Sequence, residues 1–263
     1  MLVSIIIPCG KVDQYFELAL DSIINQTYRD IEVLVMANGL GSAELDELHS
    51  ICSRDARVVV YKVDIKSLIN ALNMGIHYSS GEYIARMDCD DISFPARIEK
   101  QVDFLLKNTD HSVVGCRVAL IDKNGKFLTK KFKYVENDAD IRSCMPIRNV
   151  MCHPALMFKK SDLISVGGYK FGFMSEDHEL FIRMLRAGMK FHNINENLFC
   201  YRRHEGQITS FDKAWKNFIE ITSFLIMHGF TEKNPKYLLG IAVLFPPFRM
   251  AKVFLEKMFN KNK

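Results

Sequence analysis

The 263-residue sequence contains no internal repeat, no low-complexity tract and no Pro/Gly-rich linker, which excludes solenoids, fibres and strings of small modules. None of its seven cysteines forms a Cys-x-x-Cys pair, and their number is odd. That argues against a zinc ribbon or a disulfide frame and fits reduced thiols in a cytoplasmic protein. No basic lead-in precedes the apolar run Met1 to Pro8, and a proline stops it, so it reads as a buried first strand rather than a signal peptide. The apolar stretch Tyr237 to Phe248 is broken by Gly240 and Pro246-Pro247 and falls short of the ~20 residues a membrane span needs. A large excess of either charge is missing too. The formal net charge of +4 does not by itself point to nucleic acid.

What is present is a core-forming composition, 48% hydrophobic, sufficient for one large α/β domain with a small appendage. The stretch Gly81-Glu82-Tyr83-Ile84-Ala85-Arg86-Met87-Asp88-Cys89-Asp90-Asp91 organises it. Gly81 supplies a turn, Tyr83 to Met87 read as a short strand, and three carboxylates follow within four positions. Ligands of open α/β sheets bind at the carboxyl ends of strands, where the loops form a crevice. Acids this close repel one another unless a cation or water offsets them, so the cluster suggests Mn2+ or Mg2+ held by oxygen ligands. An exposed acidic turn capping the next helix is the plainer alternative.

Elsewhere the pattern alternates strand and helix. Val3 to Ile7 is β-branched and closed by Pro8; Asp13 is placed to cap a helix carrying Phe16, Leu20, Ile23 and Ile24; Ile31 to Met36 is the next strand. This βαβ unit implies a largely parallel sheet. A strand at Arg57 to Val63 and a helix from Ser67 to Tyr78 lead into the organising strand. After the acids, Ser93 with Pro95 is expected to open a helix bearing Ile98, Val102, Leu105 and Leu106. Ser112 to Ile121 is strand-like and Asp122 to Lys126 a hairpin-type turn. Residues 129–150, with Lys130, Lys131 and Lys133, read as a mobile loop near the site. His153 to Phe158 is expected to return to strand, Ser161 to cap a short helix ended by Gly167-Gly168-Tyr169, and Ser175 to His178 to open a helix stopped by Gly188. A last strand at Leu198 to Tyr201 delivers Arg202-Arg203-His204.

The order of Ala71-Leu72-Asn73-Met74-Gly75-Ile76, Tyr83 through Arg97, His153-Pro154, Gly167-Gly168-Tyr169 with Glu176-Asp177, and Tyr201-Arg202-Arg203-His204 resembles the inverting family 2 glycosyltransferases of bacterial surface-polysaccharide type, including those of lipopolysaccharide O-antigen. The resemblance runs from about Val3 to Gln207. It implies a GT-A (Rossmann-like) α/β fold: a mixed, mainly parallel sheet with helices on both faces, plus C-terminal helices. The catalytic domain would occupy residues 1–210 and a helical, membrane-associating segment residues 211–263. It implies a nucleotide-sugar donor, most readily UDP-linked, a lipid-linked glycan acceptor and no nucleic-acid partner.

By the same resemblance, Pro8, Asn38, Asn73, Arg86, Asp88, Arg202 and Arg203 would line the donor pocket. Asp88, Asp90 and His204 would hold the metal, and Asp177 would be the base that takes the acceptor hydroxyl's proton. Glu176 and His153 would support the acceptor. The diphosphate leaving group explains the acids, because the charge growing on it must be neutralised. At the start of a helix, Asp177 is expected to be favoured in its ionised form by the dipole. An N-cap box with Ser175 is the bland reading of Glu176-Asp177, and a solvated turn that of His204. Arg97 could pair with phosphate, though a solvated surface position is the preferred reading. At two places the chain departs from the family pattern: Cys9-Gly10 follows Pro8 where an aromatic residue and an asparagine are common, and Ala37-Asn38 follows the second strand where acidic residues are common. Asn38 can still offer a donor and an acceptor to a pyrimidine edge.

Two other readings stay open. A nucleotidyltransferase also places acids at strand ends, but no Gly- and Arg-rich triphosphate loop lies near the N-terminus; a catalytically inactive carbohydrate- or membrane-binding relative is the non-enzymatic alternative. At the C-terminus, Arg249, Lys252, Lys257, Lys261 and Lys263 alternate with Met250, Val253, Phe254, Met258 and Phe259. Either this helix lies on the inner face of an anionic cytoplasmic membrane, or it packs on the domain with a solvated basic face.

Overall fold

The computed structural model describes residues 1–130, 132–170, 175–204 and 214–247. Lys131 and the basic C-terminal run from Arg249 lie outside the described residues. The strands β1 (Val3–Cys9), β2 (Ile31–Asn38), β3 (Val58–Val63), β4 (Tyr83–Arg86), β5 (Ile92–Ser93), β6 (His111–Ile121), β7 (Met157–Lys159) and β8 (Lys190–Arg202) form one sheet of order 3-2-1-4-7-6-8-5. β1 pairs in parallel with β2 and β4, β2 with β3, and β6 with β8. Only β7 and β5 run against their neighbours. The sheet is therefore the mixed, mainly parallel one expected of a GT-A fold.

Alternation along β1 shows how the sheet is buried on both faces. Val3, Ile5 and Ile7 enter one core with α1 (Phe16–Ile24), α2 (Ser42–Cys52) and α4 (Arg97–Lys107). Ile6 enters the other, with α3 (Leu68–Tyr78), α5 (Asp138–Cys144), α6 (Lys160–Ser165) and α7 (Glu176–Arg186). Period-two side chains on a strand force this division, and helices must then cover both sides. Ile221, Phe224 and Leu225 of α8 (Ala214–Glu232), and Tyr237 of α9 (Lys236–Leu244), extend the second core. Gly240 lies so close to Pro146 that an added Cβ would sit 2.3 Å from its carbonyl oxygen. The outward faces of the two helices expose Ile219, Phe230, Leu238 and Leu239.

Several local expectations are corrected. Ser93 does not cap α4 but pairs with Phe199 in β5, and Ser161 lies inside α6. His153–Ala155 is a 3-10 turn before β7, not strand. The last strand runs far beyond Leu198–Tyr201. Residues 129–150 are not all loop: Asn137 caps α5 by accepting from Asp140 N, and Arg142 donates to the carbonyls of Leu185 and Met189. The polar surface of α5 concealed it, since only Ile141 of the helix is fully buried.

Candidate active site

β4 ends at the centre of the sheet and the chain crosses to the edge strand β5 through Met87 to Asp91. That crossing holds the acids. Asp88, Asp90 and Asp91 each offer an oxygen, all within 4.8 Å of one another. Asp91 is fully buried; its Oδ1 accepts from Arg202 N at 2.8 Å, while Oδ2 has no hydrogen-bond partner. Burial first, and then the charges of Asp88 and Asp90, push the Asp91 carboxyl well above its ordinary range. Burial and Asp88 likewise raise Asp90, against the opposing pull of His204, whose Nε2 lies 2.8 Å from Asp90 Oδ2. A hard divalent cation fits this set: three converging oxygens, one of them buried without a partner, and mutual repulsion that a cation relieves.

Arg86 joins these acids to a second pair. Its guanidinium lies 2.7 Å from Asp88 Oδ1 and is almost fully buried. Burial opposes its charge, but Asp88, and more distantly Tyr169 and Glu176, outweigh it and raise its pKa. The second pair sits at the start of α7. Asp177 accepts from Asn149 Nδ2 at 2.8 Å and from His178 N at 2.7 Å. Despite the helix start, burial wins over these donors and raises Asp177 to about 6, correcting the expectation that the dipole would keep it low. Glu176 is raised further, to about 8, by burial and by Asp177. The N-cap-box reading does not hold, because Ser175 makes no capping bond and donates its hydroxyl to Asn217 Oδ1. His153 is buried, with Nδ1 3.8 Å from Glu176 Oε1 and Nε2 2.6 Å from the Tyr169 hydroxyl. Burial and then Arg86 hold its pKa well below the ordinary histidine value.

Other expected donor contacts have more specific placements. Pro8 lies in β1 opposite Met36. Asn38 Oδ1 accepts from Ser67 N at 2.9 Å, which fixes the orientation of the amide while its second lone pair and its Nδ2 remain able to meet a base edge. Asn73 is occupied at both ends by the backbone of Tyr169, donating to its carbonyl at 2.8 Å and accepting from its N–H at 3.0 Å. That clasp needs Gly168, whose φ is +60° and whose added Cβ would lie 2.7 Å from Asn73 Oδ1. Arg202 is buried, donates to the carbonyls of Asp90 and Asp122, and stacks 4.5 Å from the Tyr15 ring. It therefore holds the acidic turn. Arg203 is exposed, with its N–H on the Ile121 carbonyl.

Arg97 overturns both of its expected roles. It is fully buried, donates to the carbonyls of Arg86 and Leu156 and to Gln101 Oε1, and lies 4.9 Å from the Phe199 ring. Burial lowers it to about 10. Gln101 continues the network to the carbonyls of Val114 and Ala155. Together they pin the end of β4 from behind. No short motif marks Tyr15 or Asn149, because each meets its partner, Arg202 or Asp177, across a long stretch of sequence, and the Gly167-Gly168-Tyr169 motif does not reveal that the Tyr169 hydroxyl meets His153.

A metal-capable acidic turn at the sheet's carboxyl edge, set against a second carboxylate pair, defines a glycosyltransferase of GT-A architecture. The sequence profile of Glycosyl transferase family 2 matches residues 4–167, and the chain belongs to that family. The O-antigen biosynthesis glycosyltransferase WbnJ of Escherichia coli is 39% identical over 206 residues, covering 77% of this chain and 80% of that protein. The amylovoran biosynthesis glycosyltransferase AmsE of Erwinia amylovora is 24% identical over 247 residues, 92% of each chain. Among solved structures, the mannosyltransferase PcManGT from Pyrobaculum calidifontis in complex with GDP-Man and Mn2+ superposes with a TM-score of 0.65, 15% identity and coverage of 97% and 74%. TarS 1-349 of S. aureus gives 0.66 and 12%, with coverage of 86% and 65%. At such identities the structural likeness speaks to the fold.

Proposed function

We propose that the chain is an inverting, metal-dependent hexosyltransferase that uses a nucleotide sugar, most readily a UDP-sugar, and extends a lipid-linked oligosaccharide in cell-surface polysaccharide synthesis. The observation that carries this reading is Arg86, buried between Asp88 and the Glu176-Asp177 pair, which couples a cation-binding cluster to a candidate base. The names of WbnJ and AmsE support the polysaccharide assignment.

In this mechanism Asp88, Asp90 and Asp91 would hold the ion, with His204 against Asp90. When bound, a divalent cation offsets the charge that develops on the leaving diphosphate. Asp177 removes the acceptor hydroxyl's proton as that oxygen attacks the anomeric carbon from the face opposite the leaving group, which inverts the configuration. A carboxyl at about 6 is ionised near neutral pH yet basic enough to take a proton. Asn149 holds its Oδ2 in place. Glu176, at about 8, is largely protonated at pH 7 and can donate a hydrogen bond to the acceptor.

Peripheral attachment to the inner face of the cytoplasmic membrane accompanies this reading. Among the described residues no helix is long and apolar enough to cross a bilayer. The exposed Ile219, Phe230, Leu238 and Leu239 on α8 and α9, followed in sequence by basic residues from Arg249 on, suit an anionic interface.

Calorimetry with UDP and GDP, with and without Mn2+, on the wild type and Asp90→Ala tests the donor site, and NMR of the product's anomeric configuration tests inversion. Manganese-dependent binding of one nucleotide, lost in the variant, is expected. Binding of neither would favour a non-enzymatic relative, and a retained configuration would remove Asp177 as base.

A further inference from the structure

A hollow of about 250 Å3 opens beside β6 and the segment that follows it. It lies at a register fault. The β6–β8 pairing slips between Cys116 and Val118, where Arg117 faces Asn197 while Cys116 still faces Ile194. Such bulges re-aim side chains and part the strands. The overlying segment is tied down on one side: Tyr134 donates its hydroxyl to Asn193 O, and Asn193 Nδ2 donates to Val135 O. Asn193 fits there because residue 115 is glycine, whose Cβ would otherwise lie 2.1 Å from Asn193 Oδ1.

The lining has one sign of charge. Arg117, Lys130 and Lys133 contribute to it, and no lining residue is acidic. Glu136, beside the Tyr134 hydroxyl, is the nearby counter-charge. Arg117 is held in place by stacking 4.6 Å from the Tyr134 ring. Exposed Phe127 and Leu128 form the apolar lip. The opposite wall is Val150 and Cys152. These flank the groups that grip the second carboxylate pair, since Asn149 bonds Asp177 and His153 neighbours Glu176. The wall of the hollow is thus continuous in sequence with the residues that grip the second carboxylate pair, and none of the acids of the metal-capable turn lines it.

We propose that this hollow is the acceptor subsite and takes the diphosphate of an amphiphilic acceptor, with phosphate oxygens against Arg117, Lys130 and Lys133 and an apolar chain along Phe127 and Leu128. Forked guanidinium and flexible ammonium donors suit phosphate oxygens, and the apolar lip suits the chain that carries them. The inference rests on the glycosyltransferase reading of the candidate active site and specifies its acceptor.

The test is calorimetric binding of farnesyl diphosphate to the full chain in EDTA, for the wild type and the charge-reversed Lys130→Glu/Lys133→Glu double variant. Farnesol, inorganic pyrophosphate and UDP serve as separate probes. The wild type is expected to bind farnesyl diphosphate, and the double variant to lose at least tenfold in affinity while keeping its melting temperature and its Mn2+-dependent nucleotide binding. Unchanged affinity in the variant overturns the proposal. So does equal binding of farnesol, equal binding of pyrophosphate, or competition by UDP in EDTA. Absence of farnesyl diphosphate binding with nucleotide binding intact overturns the subsite alone, whereas absence of both overturns the donor reading as well.

Discussion

Arg86 and Asp88 form a 2.7 Å ion pair in which the arginine is almost fully buried and the aspartate faces the site. Two residues of one strand end thus set the charge of both halves of the site, because the same guanidinium acts on Glu176 and Asp177. Removing a buried partner leaves the other without compensation, at a cost of roughly 2–4 kcal/mol. Arg86→Met is expected to lower the melting temperature by several degrees and weaken Mn2+-dependent nucleotide binding. Thermal unfolding and calorimetry on one preparation check both effects.

Asp177→Asn is expected to reduce transfer by about 10³-fold while nucleotide affinity stays within about threefold, the range for loss of a general base. Retention of substantial turnover would reassign the base.

The pH profile follows from the same residue. Transfer needs ionised Asp177, so kcat/KM is expected to rise with pH through about 6. Asn149 donates to the carboxylate and lowers its pKa. Asn149→Ala therefore moves the acid limb to higher pH. A limb that stays in place would mean that the profile reports another group.

Glu176 makes an opposite statement about stability. Its folded pKa, about 8, lies above the ordinary 4.5, so the folded state holds its proton more tightly than the unfolded chain. That contribution is fully present below about 4.5 and is lost as pH rises through about 8. Glu176→Gln stays neutral throughout. Its melting temperature is expected to gain on the wild type by several degrees between pH 5 and pH 9, as scanning calorimetry across that range would show.

The Gly168 turn offers a backbone test. With φ at +60° and Asn73 in the way of a Cβ, Gly168→Ala is expected to cost about 1–3 kcal/mol and loosen the Tyr169 hydroxyl that meets His153. Denaturant unfolding measures the first effect.

Removal of residues 248–263 is expected to leave the melting temperature nearly unchanged and to weaken sedimentation with anionic vesicles, since basic residues contribute about 1 kcal/mol each near such a surface. Cutting after Asn234 removes more, because Tyr237 belongs to the second core. That variant is expected to lose stability. Unchanged vesicle binding without residues 248–263 would remove the basic run from membrane attachment.

Much of this molecule is a matter of local pattern. The β-branched run Val3 to Ile7, the helical spacing of Phe16, Leu20 and Ile23, the glycines at 167, 168 and 188, and the acids placed directly after an apolar strand are visible in the sequence, because backbone preference and hydrophobic period act over a few residues. What only the tertiary structure decided is which polar side chains are spent within the protein. Arg97 and Arg202 look like solvated or phosphate-binding cations, yet they are buried on carbonyls of Arg86 and Asp90. Asn73 looks like a ligand contact, yet it clasps Tyr169 from 96 residues away. The helix α5 hides behind its polar surface, and Asp177 is raised by a burial that no helix-start rule reveals. Hydrogen-bond partners and desolvation depend on which distant segments meet, and that is settled only when the sheet closes around them.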